Sequence, residues 1–445
     1  MKLSNVFVCS VCGESFPKWA GQCISCSSWN TLFETTVVKK VSKKSSSTVL
    51  SGISAIALNS IKAEESSRLK TNISEFDRVL GGGFVRGQVV LLAGEPGIGK
   101  STLLIQVANA VSLCKESKEK REVIYISGEE SAEQIALRAK RLNIVSSSIT
   151  LVSETNVDSL IMFLSDTFSH KKPALIILDS VQTLYTQDLM GMSGSVGQMK
   201  ECSSRFSQFA KRFGVPVVLV GHVTKEGEIA GPKVLEHIVD TVLYLEGDKT
   251  HLFRMLKSSK NRFGSVDEVG VFEMDDKGMN EVKNPSTYFI GGRLPNVSGS
   301  VIGISMEGSR PFAIEVQALV SRTAFGYPKR TAFGVSINRL QILCAVLEKR
   351  LSLKISTFDV YVNIVGGLRI TDPACDLAIC LAIYSGVKDI KLNEKLAVFG
   401  EVGLSGEVRR VPHIEKRIIE AKRLGYETII SPKTVRTVRE AVSNF

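Results

Sequence analysis

Gly94-Glu95-Pro96-Gly97-Ile98-Gly99-Lys100-Ser101 is the stretch that decides the fold of this 445-residue chain. It fits G-x-x-x-x-G-K-[ST] in full, and it stands between an apolar run at 89–93 and a helix-like stretch at 102–111, the context a phosphate-binding loop requires. Glycines at those positions let backbone N–H groups wrap phosphates at a helix N-terminus, where the dipole favours negative charge. Gly94, Glu95, Pro96, Gly97, Ile98, Gly99, Lys100, Ser101 and Thr102 are therefore expected to cradle ATP. Lys100 should reach its β- and γ-phosphates, and Ser101 should ligate Mg²⁺.

Outward from this loop, apolar runs at 89–93, 123–126, 150–152, 174–178 and 215–220 alternate with longer amphipathic stretches. Continuous apolar strands separated by helices predict an α/β domain with a mainly parallel sheet covered on both faces. Asp179 closes the run 174–178, as a Walker B aspartate does, and should hold Mg²⁺ through water at the carboxyl edge of the sheet. The strand-like piece 123–127 ends in Gly128-Glu129-Glu130. Hydrolysis needs a group that orients the attacking water, and Glu129 is the candidate. Glu130 better fits a charge at a helix N-terminus. His222, at the end of another run, reads either as a γ-phosphate contact or as a structural histidine.

The length suits two or three domains, and 44% hydrophobic with 23% charged residues is the balance of a soluble globular protein. No apolar run nears the roughly 18 residues of a membrane span, and the apolar piece at 6–8 is too short for a signal peptide. A cytoplasmic protein is expected. The net charge of +11 is uneven: six basic and two acidic residues in 1–60, 28 and 29 in 61–284, and 22 and 14 in 285–445. The excess lies at the two ends and suits a polyanion.

Cys9-x-x-Cys12 and Cys23-x-x-Cys26 form two knuckles able to complete a tetrahedral Cys₄ zinc site in a module spanning 1–33. So small a module lacks an adequate core, so the metal would supply its folding energy. Trp19 and Trp29 could stack on bases, but packing around the knuckles is the expected use. Cys114, Cys202, Cys344, Cys375 and Cys380 read as small core residues. Residues 34–66, with Lys39-Lys40, Lys43-Lys44 and Ser45-Ser46-Ser47, have a linker's composition. The nucleotide-binding domain is expected over 67–284. Over 285–445, strand-like pieces (300–306, 313–318, 358–365, 396–399) mix with helix-like ones (338–350, 374–385, 414–424), which predicts a further α+β or α/β domain.

The four-cysteine module, the stretch Leu80-Gly81-Gly82-Gly83-Phe84-Val85-Arg86-Gly87 and the stretch Lys260-Asn261-Arg262-Phe263-Gly264 together resemble the bacterial RadA (Sms) family of DNA repair proteins, in the same order over essentially the whole chain. The resemblance implies a RecA-like ATPase core, related to hexameric replicative helicases, acting on single-stranded and branched DNA with the RecA recombinase. It implies a homo-oligomer, expected to be a hexameric ring. It also makes Lys260 and Arg262 candidate fingers acting on the ATP of a neighbouring subunit; the alternative is that they grip DNA phosphates. The loop 190–197 corresponds to where RecA-like proteins contact single strands, and otherwise reads as an ordinary mobile loop. The C-terminal domain resembles the proteolytic domain of Lon, which uses a Ser–Lys dyad. Here Ala374 stands at the serine position and Glu415 at the lysine position, with Lys416 one place off and Cys375 adjacent. Peptidase activity is not expected. A ring-shaped motor promoting branch migration or strand-exchange extension is the leading expectation. A nucleotide switch acting on protein partners and an ATP-dependent protease are the alternatives.

Overall fold

A computed structural model describes residues 3–9, 15–16, 18–24, 29, 32–38, 68–113, 121–144, 146–222, 232–247, 253–324, 326–367, 369–443 and 445. The chain divides into two units, 1–64 and 65–445.

In the first unit β1 (Leu3–Cys9) pairs antiparallel with both β2 (Ser15–Phe16) and β3 (Leu32–Val38). β3 runs five residues into the stretch expected to be linker, pairing with β1 in full register from Leu32 opposite Cys9 to Val38 opposite Leu3. Cys23 is fully buried and packs with Leu32, Phe16 and Ala20. Trp19 is 59% exposed and Trp29 70%. Both rings lie close to Gly21. Cys12 and Cys26 lie outside the described residues, as do Cys114 and the whole of the stretch 39–66.

The second unit opens with α1 (Ser74–Leu80). Six parallel strands follow: β4 (Val89–Gly94), β5 (Val123–Ser127), β6 (Ile149–Ser153), β7 (Leu175–Asp179), β8 (Val217–His222) and β9 (Thr241–Glu246). Between them run α2 (Lys100–Ser112), α3 (Ala132–Arg141), α4 (Val157–His170), α5 (Val196–Phe213) and α6 (Pro232–Leu235). Three antiparallel strands, β10 (Phe253–Asn261), β11 (Val269–Asp275) and β12 (Gly278–Glu281), extend the sheet to the order β12-β11-β10-β9-β4-β8-β7-β5-β6. β4 lies at its centre. Its Val90 and Leu92 enter one core with Leu103, Leu104 and Val107 of α2, and its Val89 and Leu91 enter the other with Leu160, Leu164 and Phe206. That alternation puts one core on each face of the sheet, as the apolar runs require. β8 starts two residues later than its apolar run because Pro216 has no N–H for the ladder.

After α7 (Pro285–Phe289), a six-stranded mixed sheet has the order β15-β16-β14-β13-β17-β20. Its strands are β13 (Ser300–Glu307), β14 (Arg310–Arg322), β15 (Arg330–Phe333), β16 (Phe358–Ile364), β17 (Leu396–Val398) and β20 (Thr428–Ile430), with β18 (Glu401–Val402) and β19 (Val408–Arg409) pairing separately. The helices are α8 (Ile337–Leu351), α9 (Asp376–Lys388), α10 (Ile414–Arg423) and α11 (Val438–Val442). α9 is buried continuously from Asp376 to Ile383 and centres this core. The β13–β14 turn docks on the preceding sheet. Arg310 pairs with buried Glu75 of α1 and donates 3.1 Å to the Lys283 carbonyl, while Ser309 N–H donates 2.6 Å to the Asp267 carbonyl.

Candidate functional site

β4 delivers the phosphate loop to the carboxyl edge of the sheet. At Gly94 a Cβ would stand 2.6 Å from the Leu245 carbonyl oxygen of β9, so strand packing alone demands glycine there. Gly97 and Gly99 take left-handed backbone, with φ of +78° and +112°. α2 starts at Lys100 with no side-chain cap and no acidic residue in its first turn, so its N-terminal N–H groups are left for an anion. Lys100 is almost fully buried. Its Nζ donates to the carbonyls of Gly94 at 2.8 Å and Glu95 at 3.0 Å, and lies 3.1 Å from His222 Nδ1. Burial lowers this ammonium to about 8, against the pull of the Asp179 and Glu129 carboxylates.

Asp179 ends β7 opposite Ser127 of β5. Two residues back on β5, on the same face, the Tyr125 hydroxyl donates 2.7 Å to Asp179 Oδ2. Burial, then the Asp179 charge, pushes this phenol well above its ordinary range, so it stays a donor. A serine hydroxyl and a carboxylate are hard oxygen donors of the kind Mg²⁺ takes, and Ser101 with Asp179 fits that chemistry.

The two glutamates after β5 part company. Glu129 accepts from the Ser180 hydroxyl, and its Oε1 lies 3.4 Å from His222 Nε2. The nearby His222 first, then the Ser180 hydroxyl, holds its carboxyl down to about 2 despite partial burial. Glu130 instead turns to Arg138 of α3, while Ser131 caps that helix by a reciprocal bond with Gln134. Lys100, His222, Glu129 and Ser180 thus form one contiguous polar chain at the mouth of the loop. Tyr125 and Ser180 carry no motif, and no signal in the sequence singles them out.

Lys260 and Arg262 do not join this group. Asn261 pairs with Thr241 and Thr241 with Val90, which puts both cations at the amino edge of the parallel strands. From Val90 to Gly94 is about 13 Å at the rise of a strand. There the two glycine motifs meet: Asn261 Nδ2 donates at 3.3 Å to the carbonyls of Val79 and Leu80, and a Cβ on Gly81 (φ +84°) would stand 3.1 Å from Gly264 Cα.

The loop 190–197 rises from the same carboxyl edge as Asp179. Met190 and Met192 at its tip are 105% and 87% exposed. Its base is pinned by buried Gln198, which accepts from Thr186 N–H at 2.8 Å and donates to the carbonyls of Thr186 at 3.0 Å and Leu189 at 2.8 Å.

In the C-terminal domain Ala374 is buried in a short 3₁₀ turn and Glu415 lies at the surface, paired with Lys433. Arg417, 1% exposed, occupies the interior instead, 2.8 Å from Asp372 and donating 2.6 Å to the Ile304 carbonyl. Cys375 is buried at the wall of a cavity, and burial pushes its thiol up to about 12. A cavity of about 350 Å³ beside it is lined by Arg339, Arg369, Asp372 and Asp376 among others, with no lysine or histidine among the described residues. Among the described residues no hydrogen bond joins a nucleophile to a base there. Cys202, Cys344 and Cys380 are buried as well.

The chain matches the family model of an AAA domain over residues 58–228, of the rubredoxin metal binding domain over 7–34 and of subunit ChlI of Mg-chelatase over 338–435. The second of these fits the four-cysteine donor set. Among the described residues no cluster of three or more His, Cys, Asp or Glu is placed to hold a metal ion. Nor is any helix among them long and apolar enough to cross a membrane. Several curated relatives bear the name DNA repair protein RadA. That of Bacillus subtilis is 46% identical over 434 residues, 97% of this chain and 93% of its own length. Those of Halalkalibacterium halodurans and Listeria monocytogenes are 44% and 43% identical over 433 and 432 residues, with the same shares.

Proposed function

The chain belongs to the RadA family, and from that membership we propose a DNA-dependent ATPase of recombinational DNA repair that works as a hexameric ring on single-stranded DNA. The proposed ring extends strand exchange or drives branch migration on branched intermediates, with RecA as partner, in the cytoplasm. Its proposed parts are the zinc module with Cys9, Cys12, Cys23 and Cys26, a linker, an ATPase domain ending near residue 284 and a DNA-binding, assembly-forming domain from 285 onward.

The observation that carries this reading is the placement of charge on the two sheet edges. Lys100, Asp179, Glu129 and His222 crowd the carboxyl edge, whereas Lys260 and Arg262 stand at the amino edge. One copy therefore holds a nucleotide site and, turned away from it, the cations that complete a site. Mg²⁺ bound by Ser101 and Asp179 would neutralise charge building on the β- and γ-phosphates. Lys100 exchanges its loop carbonyls for phosphate oxygens. Glu129, ionised throughout the working pH range, accepts a hydrogen bond from the attacking water and orients it. Lys260 and Arg262 serve the site of the next subunit, where a finger is worth about 10³–10⁵ in rate.

The test is steady-state ATP hydrolysis with and without single-stranded DNA, beside Lys100→Ala. Turnover stimulated by single strands and abolished in the variant, with its fold kept by circular dichroism, is the expected result. Turnover indifferent to DNA would favour a switch acting on protein partners, and wild-type turnover by Lys100→Ala would refute the site.

A further inference from the structure

Arg262 is a long side chain at an exposed edge, and left to itself it would sample many rotamers. It is not left to itself. Its Nη1 lies 3.1 Å from Asp240 Oδ1, and its backbone N–H donates 3.2 Å to the Asp240 carbonyl. The guanidinium is 54% exposed while the carboxylate beneath it is 4% exposed. The other oxygen, Oδ2, accepts 3.1 Å from Val89 N–H, and Asp240 N–H donates 2.9 Å to the Val89 carbonyl. Lys260 is held by the same short segment, through the carbonyls of Glu236 and Val239.

A buried carboxylate is costly to desolvate and is kept only where it is paired and hydrogen-bonded. Joining Val89 to β9 does not need a charge, since a backbone or neutral side-chain acceptor would satisfy the same N–H. The charge is matched by the guanidinium. Arg262 is thereby fixed by one nitrogen, and among the described residues its other side-chain nitrogens have no partner, which leaves them facing outward.

We propose that Asp240 is a positioning residue for the reaction: it holds Arg262 against Val89 so that the free side of the guanidinium meets the phosphates bound by the neighbouring copy. This rests on the reading of Arg262 as a finger acting between subunits, and the experiment separates the two. A finger misplaced by about 1 Å costs roughly 100-fold. In the full-length protein Asp240→Asn, which keeps an acceptor for Val89, should lower kcat by about 10- to 100-fold, with KM for ATP within about twofold and the melting temperature unchanged. In an Arg262→Ala background it should cost nothing further. Mixed with Lys100→Ala subunits, Asp240→Asn subunits should regain hydrolysis, because the partners bring intact Asp240 and Arg262 to their sites. A defect confined to a subunit's own fold would show no such rescue.

Wild-type kcat in Asp240→Asn beside an impaired Arg262→Ala overturns the positioning role. So does a loss that adds to that of Arg262→Ala or resists rescue. Wild-type turnover by Arg262→Ala, or its failure to be rescued by Lys100→Ala subunits, overturns the finger reading itself. Should Asn lower the melting temperature, Asp240→Glu keeps the charge and shifts it by one methylene; the same pattern is expected and the same outcomes decide.

Discussion

At Cys375 burial alone sets what a side chain can do. The thiol is buried and pushed up to about 12, which disfavours the thiolate, the reactive form, at pH 8. Iodoacetamide at pH 8 should leave Cys375 unlabelled in the folded protein and alkylate it in guanidinium, as read by peptide mass mapping. Labelling of the folded protein would reopen the protease alternative. Glu129 lies at the other extreme, held ionised by His222 and Ser180. Residues of this kind differ in how far the sequence discloses them. Lys100, Ser101 and Asp179 are legible because each belongs to a local pattern, a loop or the end of an apolar run. Tyr125 and Ser180 are not, because their partners Asp179 and Glu129 stand 54 and 51 positions away, and only the register of β5 against β7 brings them together.

Among elements, the loop 190–197 is anchored at its base by one side chain. Gln198 satisfies the buried N–H and carbonyl of Thr186 and the part-buried carbonyl of Leu189 at the loop base, and leaving a buried group unpaired costs about 1–3 kcal/mol. Gln198→Leu should therefore release the loop while leaving Lys100, Asp179 and Glu129 in place. Basal ATP turnover should persist and stimulation by single-stranded DNA should fall, with affinity followed by fluorescence anisotropy; unaltered DNA affinity would show that the loop is no contact. The parallel strands β4, β5, β7 and β8 are legible as continuous apolar runs, since burial on both faces leaves no other pattern. β10 to β12 are not. Being at the sheet margin, they mix polar with apolar residues, as Phe253 to Asn261 shows, and their place follows from pairing with β9 rather than from composition. The meeting of the two glycine stretches at Gly81 and Gly264 is equally hidden, although each stretch stands out alone.

For the whole molecule, the net charge of +11 is the feature that sequence and structure share most directly. Contacts to phosphates release counterions, with a slope of log affinity against log salt of about −0.7 per contact on single strands. Binding to single-stranded DNA should thus weaken by orders of magnitude between 50 and 200 mM salt, measured by anisotropy across a salt series. A flat response would exclude a backbone-reading surface. The join between ATPase core and C-terminal domain belongs to this scale too: Arg310 and Glu75 are 235 positions apart, and nothing local in either stretch announces the pair. The central sheet has a further consequence. Its two ends carry different chemistry, a phosphate loop at one and cations at the other, so a contact that joins them from copy to copy is directional. No twofold axis can relate unlike ends. Such head-to-tail contacts either close on themselves or run on without limit, and closure alone leaves no copy at the end of the line with its nucleotide unattended.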